Sequence, residues 1–142
     1  MADLLDASVW LPLSAAGHAH HDAAVAYWTE ESAGEVVFCR VTMLALLRHL
    51  TNPRIMGPDV QTGAQAWGVY DRWLAVPGVG MVPEPDGVED LLAEWSATRN
   101  LRSAIWTDAY LAAFAAAGDH RLVAFDADFD PFPGLDLLRL TG

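Results

Sequence analysis

Hydrophobic positions along this chain fall into short continuous runs that alternate with longer stripes of helical period, and spacing separates the two. Residues 2–6 (ADLLD) read as a short strand ending on a carboxylate. After a loop at PLSAAG, residues 20–32 place Ala24, Val25 and Trp28 at helical intervals. Residues 35–40 (EVVFCR) form an apolar, β-branched run, as expected of a strand covered on both faces. Thr42 is suited to cap the next helix, with Leu44, Leu47 and Leu50 facing inward. Asn52-Pro53 stops that helix, because a residue before proline is pushed out of helical geometry. The middle reads as helical from residue 59 or 62 to 74, followed by a short strand in GVGMVPEP and an amphipathic helix over 88–97. The polar segment 98–103, with its two arginines, reads as a loop. Thr107 then caps the apolar helix DAYLAAFAAA, which ends at Gly118. RLVAFD and LDLLRL supply the last strands, with the turn DPFPG between them.

Strands separated by helices predict an α/β fold with a mostly parallel sheet and helices on both faces. Ligands in such sheets bind beyond the carboxyl ends of the strands. With 142 residues and no repeat, linker or low-complexity tract, residues 1–142 are expected to form one domain.

Composition narrows the function. A hydrophobic content of 53% with six Trp and five Phe indicates a globular chain. Its apolar stretches fall well short of the ~20 residues a membrane span needs. The start, MADLLDASVWL, lacks the basic region of a signal peptide. The lone Cys39 lies in an apolar run and is expected to be a buried thiol, which fits a reducing cytoplasm. A net charge of −11 argues against a general nucleic-acid coat, which needs a basic face. All eight basic residues are arginines. The absence of lysine excludes a P-loop nucleotide site, a Schiff-base enzyme and a lysine-dependent aspartyl-phosphate site. Phosphate chemistry would have to rest on metal ions, arginines and backbone amides.

The candidate chemistry is carboxylate. Asp6 ends the first strand, Asp108 falls in the first turn of a helix, and Asp126 and Asp128 follow the last long strand. Each has an ordinary explanation as a turn or cap residue, or through the helix dipole. Together they occupy the element ends where α/β proteins build sites. Like charges gathered there raise each other's pKa unless a hard cation joins them, and an oxygen-rich cluster suits Mg²⁺ or Mn²⁺. Such a centre hydrolyses a phosphodiester with water and needs no protein nucleophile. Ser8 and Thr107 are placed to hydrogen-bond a ligating carboxylate or the phosphate. Arg48 is a candidate phosphate or partner contact. His18, His20 and His21 lack the i, i+4 spacing that would chelate zinc from one helix face. Gly78-Val79-Gly80 reads as a turn, and Trp10 and Trp106 are the aromatics close enough to the acidic positions to stack on a base.

These segments resemble the PIN-domain family, specifically the VapC-type toxin ribonucleases of bacterial toxin–antitoxin pairs. The resemblance rests on LLDASVWL, HHDAAVAYW, FCRVTMLALLRHLTNP, WTDAYLAAFAAA and LVAFDADFDPFPGLDLLRL, in that order, and covers nearly the whole chain. It implies a three-layer α/β/α sandwich, Mg²⁺- or Mn²⁺-dependent cleavage of RNA such as tRNA or rRNA, homodimerisation, and neutralisation by a VapB-like antitoxin. The family's first, third and fourth acidic ligands correspond to Asp6, Asp108 and Asp126, with Asp128 as an additional acid. The family's second acid, a glutamate, aligns with Met43, and its Ser or Thr before the last acid aligns with Ala124. On that alignment Met43→Glu is expected to tighten Mn²⁺ binding. The alternative implied by the missing glutamate is a catalytically weak protein that acts by binding its antitoxin or RNA.

Overall fold

The computed structural model describes residues 1–130 and 132–142. Its centre is a five-stranded sheet in the order β3-β2-β1-β4-β5, formed by β1 (Asp3–Leu5), β2 (Val36–Phe38), β3 (Val79–Met81), β4 (Arg121–Ala124) and β5 (Leu137–Arg139). Every pairing is parallel. The order makes β1 and β4 neighbours although over a hundred residues separate them, with Leu5 in register with Val123. The chain therefore reverses its direction of travel across the sheet between β1 and β4, and the crevice of such a sheet opens there.

The alternation of side chains along each strand builds the two outer layers. Leu4, Val37, Leu122 and Ala124 join one apolar cluster with α6 (Val88–Arg99) and α7 (Trp106–Ala117). Leu5, Val36, Phe38 and Val123 join the other, with α1 (Ala7–Ser14), α2 (His21–Glu30), α3 (Arg40–Leu50) and α5 (Gly63–Leu74). The result is the expected three-layer α/β/α sandwich. The short α4 (Pro53–Met56) completes the helices. Among the described residues, no helix is long and apolar enough to cross a membrane.

Several local expectations are corrected. Helix α1 begins at once after β1 and contains Pro12, where a loop was expected soon after. Its helical turn is held by packing rather than propensity: Trp10 is fully buried and stacked on Phe38, with ring centroids 3.9 Å apart. Trp10 is therefore not available to stack on a base, whereas Trp106 is 45% exposed. Helix α3 starts at Arg40, with Cys39 as its N-cap and Thr42 one turn in, the two joined in a capping box. That shift rotates the inward face, so Thr42, Met43, Leu46 and Leu50 are buried and Leu44 is exposed. In α2, Ala24 is buried as expected, but Val25 is exposed and Tyr27 is the large side chain that turns inward. Helix α3 ends at Leu50, ahead of Asn52-Pro53 as expected, and Pro53 then opens α4, capped by Asn52. Helix α6 continues to Arg99, so the loop begins only at Asn100. Thr107 lies inside α7, whose N-cap is Ile105, and is not the cap. Gly80 belongs to β3 and is not a turn residue. Cys39 is buried and free, as expected.

Candidate functional site

Two of the acidic residues are placed by the sheet itself. Asp6 follows β1 directly, and its backbone N–H donates to the Val123 carbonyl at 2.9 Å, which fixes it beside the end of β4. Its carboxylate caps α1 by accepting from the Ser8 N–H at 3.2 Å. Asp126, two residues past β4, likewise accepts from the Asp128 N–H at 2.9 Å and caps the turn of 3₁₀ helix Ala127–Phe129. Ser8 links the two strand ends, because its hydroxyl oxygen accepts from the Phe125 N–H at 3.2 Å. Asp108 arrives from the other direction, in the first turn of α7.

Asp6, Asp108 and Asp126 line one cavity of about 270 Å³, together with Ser8, Thr42, Ala45, Arg48, His49 and Thr107. Asp108, Asp126 and Asp128 each offer a carboxylate oxygen within 4.8 Å of the others. Asp6 stands outside that closest trio but on the same cavity. Among the described residues the ion pairs are Arg121–Asp3 and Arg139–Asp130, and neither neutralises this cluster. The electrostatic consequence is visible in the titration of the acids. Burial, and then Asp6, Asp126 and Asp128, push Asp108 up from 3.8 to about 6. Burial also raises Asp6, against the opposing effect of hydrogen bonds from Ser8 and Ala7, with Asp126 adding to the rise. A set of hard oxygen donors held together without a counter-charge matches the preference of Mg²⁺ and Mn²⁺.

The α3 wall of the cavity differs from the sequence expectation. Met43 does not reach it: the side chain is 3% exposed and packs in the α1–α3–α5 cluster, contacting the Arg40 guanidinium. Thr42, Ala45 and His49 line the cavity with the acids, flanked by Val41 and Arg48. Their i, i+3, i+7 spacing is a helical stripe readable in the sequence once the start of α3 is known. Along this lining α3 presents no carboxylate, and Ala45 lies on it whereas Met43 does not. His49 has a buried Nδ1 without a partner among the described residues, and burial followed by Arg48 lowers its pKa while Asp6 opposes. Arg48 and Thr107 are both exposed at the cavity rim. The amino-terminal histidines serve packing instead. His20 stacks on Phe125 at 4.5 Å, the His18 ring accepts from the His20 N–H, and the His21 ring bonds the Pro12 carbonyl.

A family model for the PIN domain matches residues 4–135. The chain is 36% identical to Ribonuclease VapC41 of Mycobacterium tuberculosis over 144 aligned residues, covering 97% of this chain and 98% of that protein. Among solved structures it superposes on Mycobacterium tuberculosis VapC20, a Sarcin-Ricin loop cleaving toxin, with a TM-score of 0.70 at 20% identity, covering 95% of this chain and 98% of VapC20. It superposes equally well on VapBC-1 from nontypeable Haemophilus influenzae, with a TM-score of 0.71 at 13% identity over 98% of each chain. The sheet order, the acids gathered where β1 meets β4, and the near full-length similarity to VapC41 agree: the chain belongs to the PIN-domain family, among the VapC proteins.

Proposed function

We propose that this chain, as a single PIN domain over residues 1–142, is a Mg²⁺- or Mn²⁺-dependent endoribonuclease toxin held in check by a VapB-like antitoxin. The observation that carries the reading is the meeting of Asp6 and Asp126 at the β1–β4 switch, with Asp108 closing the same cavity from α7. Asp6, Asp108 and Asp126, with Asp128 beside them, would hold the ion. When bound, a divalent ion supplies Lewis-acid charge to the phosphate and makes water a nucleophile near neutral pH. The protein's own part is positioning. Ser8 fixes Asp6 against β4, and the closely spaced Asp108, Asp126 and Asp128 favour a cation over bulk water. Arg48 and the Thr107 hydroxyl stand at the rim, where an incoming phosphodiester would pass.

The similarity to VapC41, and to a VapC20 that cleaves the Sarcin-Ricin loop, supports structured RNA such as rRNA or tRNA as the substrate class. The likeness of the fold to VapBC-1 agrees with an antitoxin partner. A homodimer is part of the same reading, and the buried, free Cys39 fits a reducing cytoplasm. An antitoxin that inserts arginine into the cavity would meet the charge its carboxylates lack. One observation favours the second reading, a weak enzyme that acts by binding: Ala45 leaves α3 without a carboxylate at the site. Antitoxin-free protein incubated with Mn²⁺ and total RNA separates the two. Cleavage that disappears in Asp126→Asn is expected; absence of cleavage at every metal concentration would favour the binding reading.

A further inference from the structure

A second cavity of about 300 Å³ lies beside the acidic cluster: Asp128 lines it and also offers a carboxylate oxygen within 4.8 Å of those of Asp108 and Asp126. Its apolar surface comes from Leu101, Ile105 and Phe132, and its cations are Arg99 and Arg102. The lining is built by the chain reversal at Asn100, which closes α6 in the left-handed conformation (φ 49°, ψ 65°) that asparagine tolerates better than most residues. That turn sets Arg99 and Arg102 on either side of Leu101, which packs against the α6–α7 core. Both arginines are exposed, and neither forms an ion pair or a side-chain hydrogen bond among the described residues. In a chain of net charge −11, two adjacent unneutralised guanidinium groups beside the acids are a local exception to the field. Trp106, 45% exposed, stands in the chain between Ile105 of this cavity and Asp108 of the other.

We propose that this cavity is a nucleotide subsite, taking one unpaired base of the RNA next to the bond being cut, with Arg99 and Arg102 on the flanking phosphates. The inference rests on the ribonuclease reading above. An apolar floor accepts the face of a base, planar guanidinium groups suit phosphate oxygens, and an exposed tryptophan is a stacking platform. The volume holds a single base and not a duplex, so the RNA must be single-stranded at this position. Asp128, which belongs both to this lining and to the acidic trio, places the bound nucleotide beside the cluster. The chemistry therefore assigns to this loop the choice of which base flanks the cleaved bond.

The test uses antitoxin-free protein and a fluorescent single-stranded RNA pool of random sequence. Binding is followed by anisotropy in Ca²⁺, and cut ends are sequenced after incubation with Mn²⁺. The double variant Arg99→Gln/Arg102→Gln should bind the pool about tenfold more weakly and raise KM more than it lowers kcat. Trp106→Ala should flatten the base preference at one position beside the cut. Because these side chains are exposed, unchanged thermal unfolding of the variants is expected. Equal affinity of wild type and double variant, or an unaltered base preference in both variants, overturns the subsite. A wild-type protein that binds the pool in an Arg99/Arg102-dependent manner without cutting it supports the subsite and counts against the nuclease reading instead.

Discussion

Asp6 caps α1 and also faces the acidic cavity, so its charged form is pulled both ways. Donors on Ser8 and Ala7 favour ionisation, while burial and Asp126 oppose it, and burial wins. Asp108 has no such opposing donors: burial, then Asp6, Asp126 and Asp128, put its pKa at about 6 instead of 3.8. An acid whose folded pKa is raised holds a proton in the native state that the unfolded state has already lost. It favours folding below the ordinary pKa, and that contribution fades as pH rises toward the folded pKa. For metal-free protein in chelator, the melting temperature should therefore fall between about pH 4 and pH 6. Asp108→Asn should flatten that fall, and scanning calorimetry of the two proteins checks it. The α3 wall gives a second residue-level contrast. Ala45→Glu adds a carboxylate facing the cluster and should tighten Mn²⁺ binding in a calorimetric titration. Met43→Glu instead puts a carboxylate into the apolar core with only the Arg40 guanidinium in reach, and should cost about 1–3 kcal/mol in urea unfolding with no gain in metal affinity.

Among the elements, β1 carries two acids with opposite uses. Asp6 leaves its carboxyl end toward the cavity, whereas Asp3 at its start is fully buried and satisfied by protein. Asp3 accepts from the Tyr27 hydroxyl, from the Ala33 N–H, and from the Arg121 guanidinium in a two-pronged contact at 2.9 and 2.8 Å. This network ties α2 and the start of β4 to β1, the pair of strands whose far ends present Asp6 and Asp126. Asp3→Ala would strand a buried tyrosine hydroxyl and a partly buried guanidinium, so a loss of about 3–5 kcal/mol is expected in denaturant unfolding. The strand–helix alternation and the acids at the strand ends were legible because apolar runs and their terminal carboxylates are local in sequence. Helix phase was not legible. Taking Thr42 as a cap rather than a third helical residue rotated the apparent inward face, since residues two apart on a helix point about 200° apart. Met43 and Leu44 were thereby assigned to the wrong surroundings, and Ala45 and His49 were missed. Helix α1 escaped notice because Pro12 lowers its propensity while the stacking of Trp10 on Phe38, which overrides that, is tertiary.

Over the whole molecule, a net charge of −11 sets how RNA can approach. Arg48 on the lining of the acidic cavity, and Arg99 and Arg102 on that of the neighbouring one, are cations close to a negative centre. The centre itself repels phosphate until a cation fills it. RNA affinity should accordingly rise steeply with Mg²⁺ in a filter-binding or anisotropy titration, and equal affinity in chelator would contradict that electrostatic picture. The acids come from the two sides of the β1–β4 switch and from α7, so the site exists only in the assembled sheet. Its most direct test is anomalous diffraction from crystals soaked in Mn²⁺. A peak is expected in the cavity bounded by Asp6, Asp108 and Asp126, about 2.1 Å from carboxylate oxygens. Saturating Mn²⁺ that leaves no peak there, or a peak only elsewhere on the surface, would contradict it.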